Sequence, residues 1–245
     1  MESIAITRVP LASLGDMRKK LLEIIDNQFT YDKCHLYGWA DTYLFEVGGT
    51  AAGYGSVWGK DKREDRDSIF EFYVEPPFRK DAHAIFEKFI DASEVDWIEC
   101  QSNDPFLSMM FFEFAFDIYA EAILFEDDFD SSIIMDGAKL QSIETPESSR
   151  INKEYVIRYN DQVVAAGGLL LNYNFPYADI YYGVEEAHRR KGFGSFFVQE
   201  LKKEAYRIGR VPAARTGINN LISKRTMMKA GLKPCGWRLG GKIRK

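Results

Sequence analysis

Residues 188–195 read HRRKGFGS and follow the run ADIYYGVEEA at 178–187. The first run has the β-branched and aromatic content of a strand ending at Val184, and beyond the glycines Phe193, Phe197, Leu201 and Ala205 recur at helical spacing. Strand, short loop and helix in that order set the first backbone N–H groups of the helix beside the loop. Free donors and the positive end of the helix dipole make an anion site there. Gly192 and Gly194 carry no side chain to hold a phosphate off the backbone; Arg189, Arg190 and Lys191 add charge at the rim, and Ser195 offers a hydroxyl. Two familiar phosphate loops do not fit. A dinucleotide fingerprint needs a third glycine where Phe197 stands, and a P-loop needs Gly-Lys-Ser/Thr where the chain has Gly194-Ser195-Phe196. Taken alone, the glycines read equally as a capped turn with surface charge.

The same succession occurs earlier in the chain. TYLFEVGGTAAGYGSV from Thr42 lines up with EYVIRYNDQVVAAGGL from Glu154, so that Tyr43 meets Tyr155, Gly55 meets Gly167 and the Gly48-Gly49 turn meets Asn160-Asp161. FEFYVEPPFRKDAHAIF then lies on IYYGVEEAHRRKGFGSFF, matching Val74 to Val184, Glu75 to Glu185 and Arg79 to Arg189. A last block pairs Asp104 with Asn220, Ala115 with Gly231 and Phe116 with Leu232. Three blocks at a consistent spacing imply two copies of one fold. They differ at the loop: Ala82 and Ala84 stand where the second copy has Gly192 and Gly194.

Around these blocks the pattern predicts an amphipathic helix over residues 11–29, with Met17, Leu21, Ile24, Ile25 and Phe29 on one face, and a hairpin on Gly48-Gly49. A strand IFEFYV, a helix striped by Ala82, Ile85, Phe86, Phe89 and Ile90, and a strand WIECQ follow. Asp104-Pro105 begins the next helix, and IYAEAILFE closes the first copy. Phe111, Phe112, Phe114 and Phe116 read as core. The chain is α/β, of mixed α+β type, in two domains, each a twisted mixed sheet with helices on both faces. Residues 1–130 form the copy without the loop, the acidic and then Ser/Pro-rich 131–150 a connector, and 151–245 the copy with it.

The spacing of Val184, Arg189, Gly192 and Gly194 resembles the V-x4-R-x2-G-x-G pattern of the GNAT superfamily of acyl-CoA-dependent N-acyltransferases. NNLISKRTMMKAGLKPCG resembles that superfamily's next block, N-x2-S-x5-K-x-G-[FL], through Asn220, Ser223, Lys229, Gly231 and Leu232, with the strand VPAARTG between the two. The resemblance covers residues 150–245, and residues 40–126 as a degenerate copy. It implies a tandem GNAT protein in which the strands YYGV and PAART splay and acetyl-CoA lies in the gap. The pantetheine arm would bond the backbone near Tyr182 and Val184, and the pyrophosphate would rest on the N–H groups of Arg190, Lys191, Gly192, Phe193, Gly194 and Ser195. Asn220 and Ser223 would meet the arm, although Asn220 is equally a natural helix cap. A backbone N–H near Val184 would polarise the thioester carbonyl, and a small-molecule or peptide amine would attack directly.

Proton-transfer residues carry over less well. Many relatives place a tyrosine four residues before the glycine of the last helix, and this chain has Met227 there. Asp179 and Glu185 are the candidate bases, each also readable as a turn or solvated carboxylate, and water can relay the proton. Tyr173, Phe175 and Tyr177 lie in the preceding loop, where they wall an acceptor pocket or pack a hairpin. A non-catalytic acyl-CoA-binding or interaction module of the same fold is the alternative reading.

Composition narrows the class further. The 245 residues are 46% apolar and 14% aromatic, enough for a substantial core, and the net charge of -5 argues against a nucleic-acid-binding chain. No run approaches the roughly 18–20 apolar residues of a membrane span, and MESIAITRVP lacks a signal-peptide pattern, so a cytoplasmic protein without membrane attachment is expected. Cys34, Cys100 and Cys235 are far apart and the three histidines cluster with none of them, so no metal site is expected.

Overall fold

The computed structural model describes residues 2–25, 31–143 and 152–244. Two compact units emerge: Tyr31–Glu121 with the N-terminal segment and Trp237–Lys245 form one, and Ala122–Gly236 the other. The first runs β1 (Ile4–Val9), α1 (Met17–Ile24), α2 (Tyr31–Leu36), β2 (Ala40–Val47), β3 (Thr50–Trp58), β4 (Ser68–Val74), α3 (Ala82–Ser93), β5 (Trp97–Gln101) and α4 (Pro105–Phe114), then enters β6 (Ala115–Asp127). The second continues from β6 through β7 (Ala138–Ile143), β8 (Asn152–Tyr159), β9 (Gln162–Leu170), β10 (Tyr177–Val184), α5 (Phe193–Arg207), β11 (Val211–Gly217) and α6 (Leu221–Lys229), then enters β12 (Leu232–Ile243).

Each unit is a mixed sheet built in the same order. β1, β2, β3 and β4 pair antiparallel in sequence, and β4 runs parallel to β5; β7, β8, β9 and β10 repeat this, with β10 parallel to β11. Both expected hairpins are present. Gly48 and Gly49 have φ of 59° and 79°, and Asn160 and Asp161 have 48° and 61°, the doubly positive geometry that suits the twist of a two-residue hairpin.

Several sequence expectations need correcting. Residues 11–29 hold a 3₁₀ turn at Leu11–Leu14 and then α1, with Gly15 at φ 58° between them; Phe29 lies outside the described residues. β1 was not anticipated, nor was β7, which lies inside the expected connector 131–150 and pairs with β8 from Ala138 to Ile143. Both are strands with half-exposed alternation and few large apolar residues. The closing strands are also shared differently. From Ala122 onward β6 pairs with β11 in the second unit, and Arg238–Lys242 of β12 pair with β5 in the first. Gly240 and Gly241 permit that pairing, since a Cβ on Gly240 would meet the Tyr119 hydroxyl at 2.5 Å and one on Gly241 would meet Ala115 and Phe111 at 3.0 and 3.2 Å.

In the first unit Phe45, Phe72, Ile85, Phe86, Phe89, Leu107 and Phe111 form a single apolar core under α3 and α4. Only part of the phenylalanine cluster belongs to it. Phe111 is buried and Phe114 packs at its edge, whereas Phe112, on the outer face of α4, and Phe116, at the exposed start of β6, are exposed. On the opposite side lies a buried polar network. Thr42, Ser56 and Glu71 stand in cross-strand register, and Glu71 accepts from Ser56 Oγ (2.9 Å), His35 Nε2 (2.9 Å) and Arg18 Nε (3.3 Å).

Asp104 caps α4 as expected, accepting from the N–H groups of Phe106 (3.1 Å) and Leu107 (3.0 Å). It is fully buried and its Oδ2 has no hydrogen-bond partner. Burial pushes its carboxyl up to about 7 against the opposing pull of the two N–H groups. A folded-state value above the unfolded one means that the stability it contributes is complete below about pH 4 and is lost as pH rises through about 7. Asp104→Asn keeps the cap without the charge, as Asn220 does in the second unit. Urea denaturation is expected to find this variant more stable than the parent at pH 8, on the order of 2 kcal/mol, with the gap closing at pH 5; a gap that widens at pH 5 contradicts the assignment.

Candidate functional site

In the second unit β10 and β11 start side by side and separate. Tyr177, Ala178, Asp179 and Ile180 pair with Val211, Pro212, Ala213 and Ala214, and the parallel ladder stops there. Beyond that point Tyr181–Val184 pair only with β9, and Arg215–Gly217 only with β6. A wedge therefore opens between two strand edges whose backbone N–H and C=O groups have no neighbouring strand, which favours a ligand that offers amides of its own. The expected splay of YYGV from PAART takes this form.

The loop after β10 stands at the mouth of the wedge. A 3₁₀ turn at Glu186–His188 leads to Arg190 and Gly192, both with positive φ (62° and 94°), and α5 begins at Phe193. The first helical donor is Phe196, bonded to Gly192 O at 3.1 Å, so the N–H groups of Phe193, Gly194 and Ser195 precede the first rung of the helix. Arg189 is exposed, and its Nε donates to Val184 O at 3.1 Å, tying the loop to the end of β10. Arg190 and Lys191 are exposed, Phe193 is buried in the core, and Ser195 is buried in the first turn of α5.

The two glycines have different physical reasons. Gly192 adopts a left-handed conformation, and a Cβ there would also meet Met135 Cε at 3.2 Å. Gly194 sits where helix and strand approach closely: a Cβ would meet Thr226 Cγ2 at 3.1 Å, Tyr182 Cε2 at 3.5 Å and Val184 Cγ2 at 3.6 Å. Met135 was not suspected from the sequence. It belongs to a segment held across α5 by Gln199, whose buried amide accepts from Ile133 N (2.6 Å) and Ser131 Oγ (2.9 Å) and donates to Ile133 O (3.1 Å).

Asn220 and Ser223 come together at the start of α6. Asn220 Oδ1 accepts from Ser223 N at 3.0 Å as the helix cap, and Ser223 Oγ lies 3.1 Å from the Tyr182 hydroxyl. Gly231 ends this motif for a steric reason, with φ 88° and a would-be Cβ 2.0 Å from Phe129 O. Met227, at the position where the resemblance implied a tyrosine, is buried in the apolar core.

The candidate bases sit apart. Asp179 is buried and Arg215 Nε lies 3.5 Å from its Oδ2, while the Arg215 guanidinium also donates to the Tyr173 hydroxyl. That arginine, on the strand after the loop, was missed because one charge in VPAARTG gives no periodic signal. Glu185 is exposed and caps the 3₁₀ turn with its backbone. Of the loop aromatics, Tyr173 is buried and Phe175 is exposed under the Arg210 guanidinium.

The first unit preserves the frame, splay included, but fills the opening. β4 and β5 share two parallel pairs, Ser68 with Trp97 and Ile69 with Ile98. At the positions matching Tyr182 and Ser223 stand Phe72 and Leu107, both fully buried in the core. A six-residue 3₁₀ turn, Pro76–Asp81, runs directly into α3, and the Ala82 N–H is already spent on Arg79 O. Asp81 also stands where the second unit has Lys191.

Among the described residues no helix is long and apolar enough to cross a membrane, and no group of three or more metal-ligating side chains occurs.

Residues 113–232 match the family described as "Acetyltransferase (GNAT) family". Among solved structures the chain is similar to an acetyltransferase from the GNAT family of Colwellia psychrerythraea, with a TM-score of 0.78 at 14% identity over 98% of this chain and 100% of that one. It is also similar to a tandem GNAT protein from the clavulanic acid biosynthesis pathway, with a TM-score of 0.65 at 11% identity over 99% of both chains. A GCN5-related N-acetyltransferase from Sphaerobacter thermophilus aligns with a TM-score of 0.62 at 13% identity over 99% of this chain and 96% of that one. Among curated proteins none matches.

Proposed function

We propose that this chain, which belongs to the GNAT superfamily, is an N-acetyltransferase whose second unit binds acetyl-CoA and passes the acetyl group to a primary amine by direct attack. The observation that carries the reading is the wedge between β10 and β11, with unpaired strand backbone inside it and the N-terminus of α5 at its mouth.

In this reading the pantetheine arm of the cosubstrate lies along Tyr182 and Val184, where its amides take the backbone partners that β11 does not supply. The phosphates rest on the N–H groups of residues 190–195, with Arg190 and Lys191 adding charge. Arg189 holds the loop through Val184 O and leaves part of its guanidinium for the rim. Asn220 and Ser223 line the arm from the α6 side; the capping bond uses Asn220 Oδ1 and leaves its amide donor for the ligand. The first unit is a scaffold without coenzyme, because Phe72 and Leu107 fill the corresponding place and its helix start lacks the glycines.

Proton removal from the amine falls to water or to Glu185, which is exposed near the loop. Asp179 is less accessible to an amine than its strand position suggests, since it is buried and Arg215 Nε lies 3.5 Å from its Oδ2. This pairing, together with Met227 in the core, favours a second reading, a non-catalytic acyl-CoA-binding module. Thiol release from acetyl-CoA in the presence of polyamines, aminoglycosides, amino acids and peptides separates the two. Turnover above the amine-free rate with one acceptor class is the expected result, and coenzyme binding without turnover in any class selects the binding module.

A further inference from the structure

We propose that Tyr182 and Ser223 form a bridge across the wedge that the coenzyme arm must break to enter, so that this pair sets coenzyme affinity. The inference rests on the coenzyme reading of the second unit and goes beyond it by assigning a working role to one side-chain hydrogen bond.

Tyr182 lies on the part of β10 that has left β11 behind, two residues past the last paired position. By strand alternation its side chain shares the side of Ile180 and Val184, against the apolar core under α5 and α6. Its ring passes 3.5 Å from the place a Gly194 Cβ would occupy, and its hydroxyl meets Ser223 Oγ at 3.1 Å. Ser223 belongs to the helix that follows β11, so the bond joins the two sides of the opening. Both side chains are only half-buried. In the first unit the same two positions, Phe72 and Leu107, are fully buried and apolar, with nothing to exchange. A hydroxyl pair differs from an apolar plug because an entering arm has to break only its mutual bond, at a cost of about one net hydrogen bond, whereas a buried apolar side chain has to be driven out of the core.

Calorimetric titration tests this with two probes, coenzyme A and adenosine 3′,5′-bisphosphate, which carries the nucleotide part without the arm. For Tyr182→Phe, which keeps the ring against Gly194, we expect coenzyme A to bind about three- to tenfold more tightly, as one net hydrogen bond is worth. The bisphosphate, which stops at the loop, is expected to bind the variant and the parent alike. Ser223→Ala is expected to shift coenzyme A affinity in the same direction, and its unfolding midpoint shows whether α6 is intact. An unchanged or weakened affinity of Tyr182→Phe for coenzyme A overturns the bridge while leaving the coenzyme reading in place. Equal tightening of both probes overturns it as well, since it would reflect the loop. Failure of the parent and both variants to bind either probe overturns the coenzyme reading and the bridge with it.

Discussion

Glu71→Ala is expected to destabilise the first unit by about 3–5 kcal/mol, the usual cost of removing one partner from a buried ion pair. The glutamate is fully buried and faces Arg18 and His35, and Arg18 Nη2 already has no hydrogen-bond partner. Without the carboxylate the guanidinium keeps only Asp32, which it meets at 2.8 Å nearer the surface. Glu71→Gln preserves the shape and the bond from Ser56 but not the charge, so it is expected to recover only part of the loss. The pH dependence has a definite sign. Burial opposes ionisation of Glu71, but Arg18, His35 and the bonds from His35 and Ser56 overcome it and hold the carboxyl at about 2, against an ordinary 4.5. A depressed carboxylate contributes stability that is complete above about pH 4.5 and is lost as pH falls towards 2. Denaturant midpoints of the parent and Glu71→Gln should therefore converge between pH 5 and pH 2. Parallel curves over that interval would mean that the carboxylate is not ionised in the folded protein.

The second large effect is expected at the loop. Gly192→Val should weaken coenzyme A binding about tenfold or more, because a Cβ in left-handed backbone costs about 1–2 kcal/mol and the loop relieves it by giving up its geometry. Met135 Cε, at 3.2 Å from that Cβ, is the end of a flexible chain and can move, so the fold itself should persist. Ala82→Gly and Ala84→Gly in the first unit are the matched control and should leave binding at one coenzyme per chain. Two equivalent sites in the parent protein, or an unchanged dissociation constant for Gly192→Val, would contradict the division of labour between the units.

What the sequence exposes and what it hides follow from the range of the interactions. The hairpins, the Asp104 and Asn220 caps and the α5 stripe are local, each signalled within a few residues, and all are found. The two glycines were recognised as room for a phosphate, and the structure adds a separate reason for each: Gly192 has left-handed backbone, and a Cβ on Gly194 would crowd Thr226. The Glu71 network was not legible. Its partners lie 53 and 36 residues away, and one carboxylate in IFEFYV looks like the solvent side of a strand. The destinations of β6 and β12 were hidden for a related reason, since a strand's alternation records which face is apolar and not which neighbour it joins.

The placement of β12 bears on how the molecule can come into being. A chain leaving the ribosome ordinarily completes its N-terminal domain first. Here the first unit lacks the strand that pairs with β5 until residues 238–242 have been synthesised, after the whole of Ala122–Gly236. At ordinary elongation rates β5 waits on the order of ten seconds with an open edge. Nascent chains stopped near residue 130 should accordingly hold a protease-sensitive first unit.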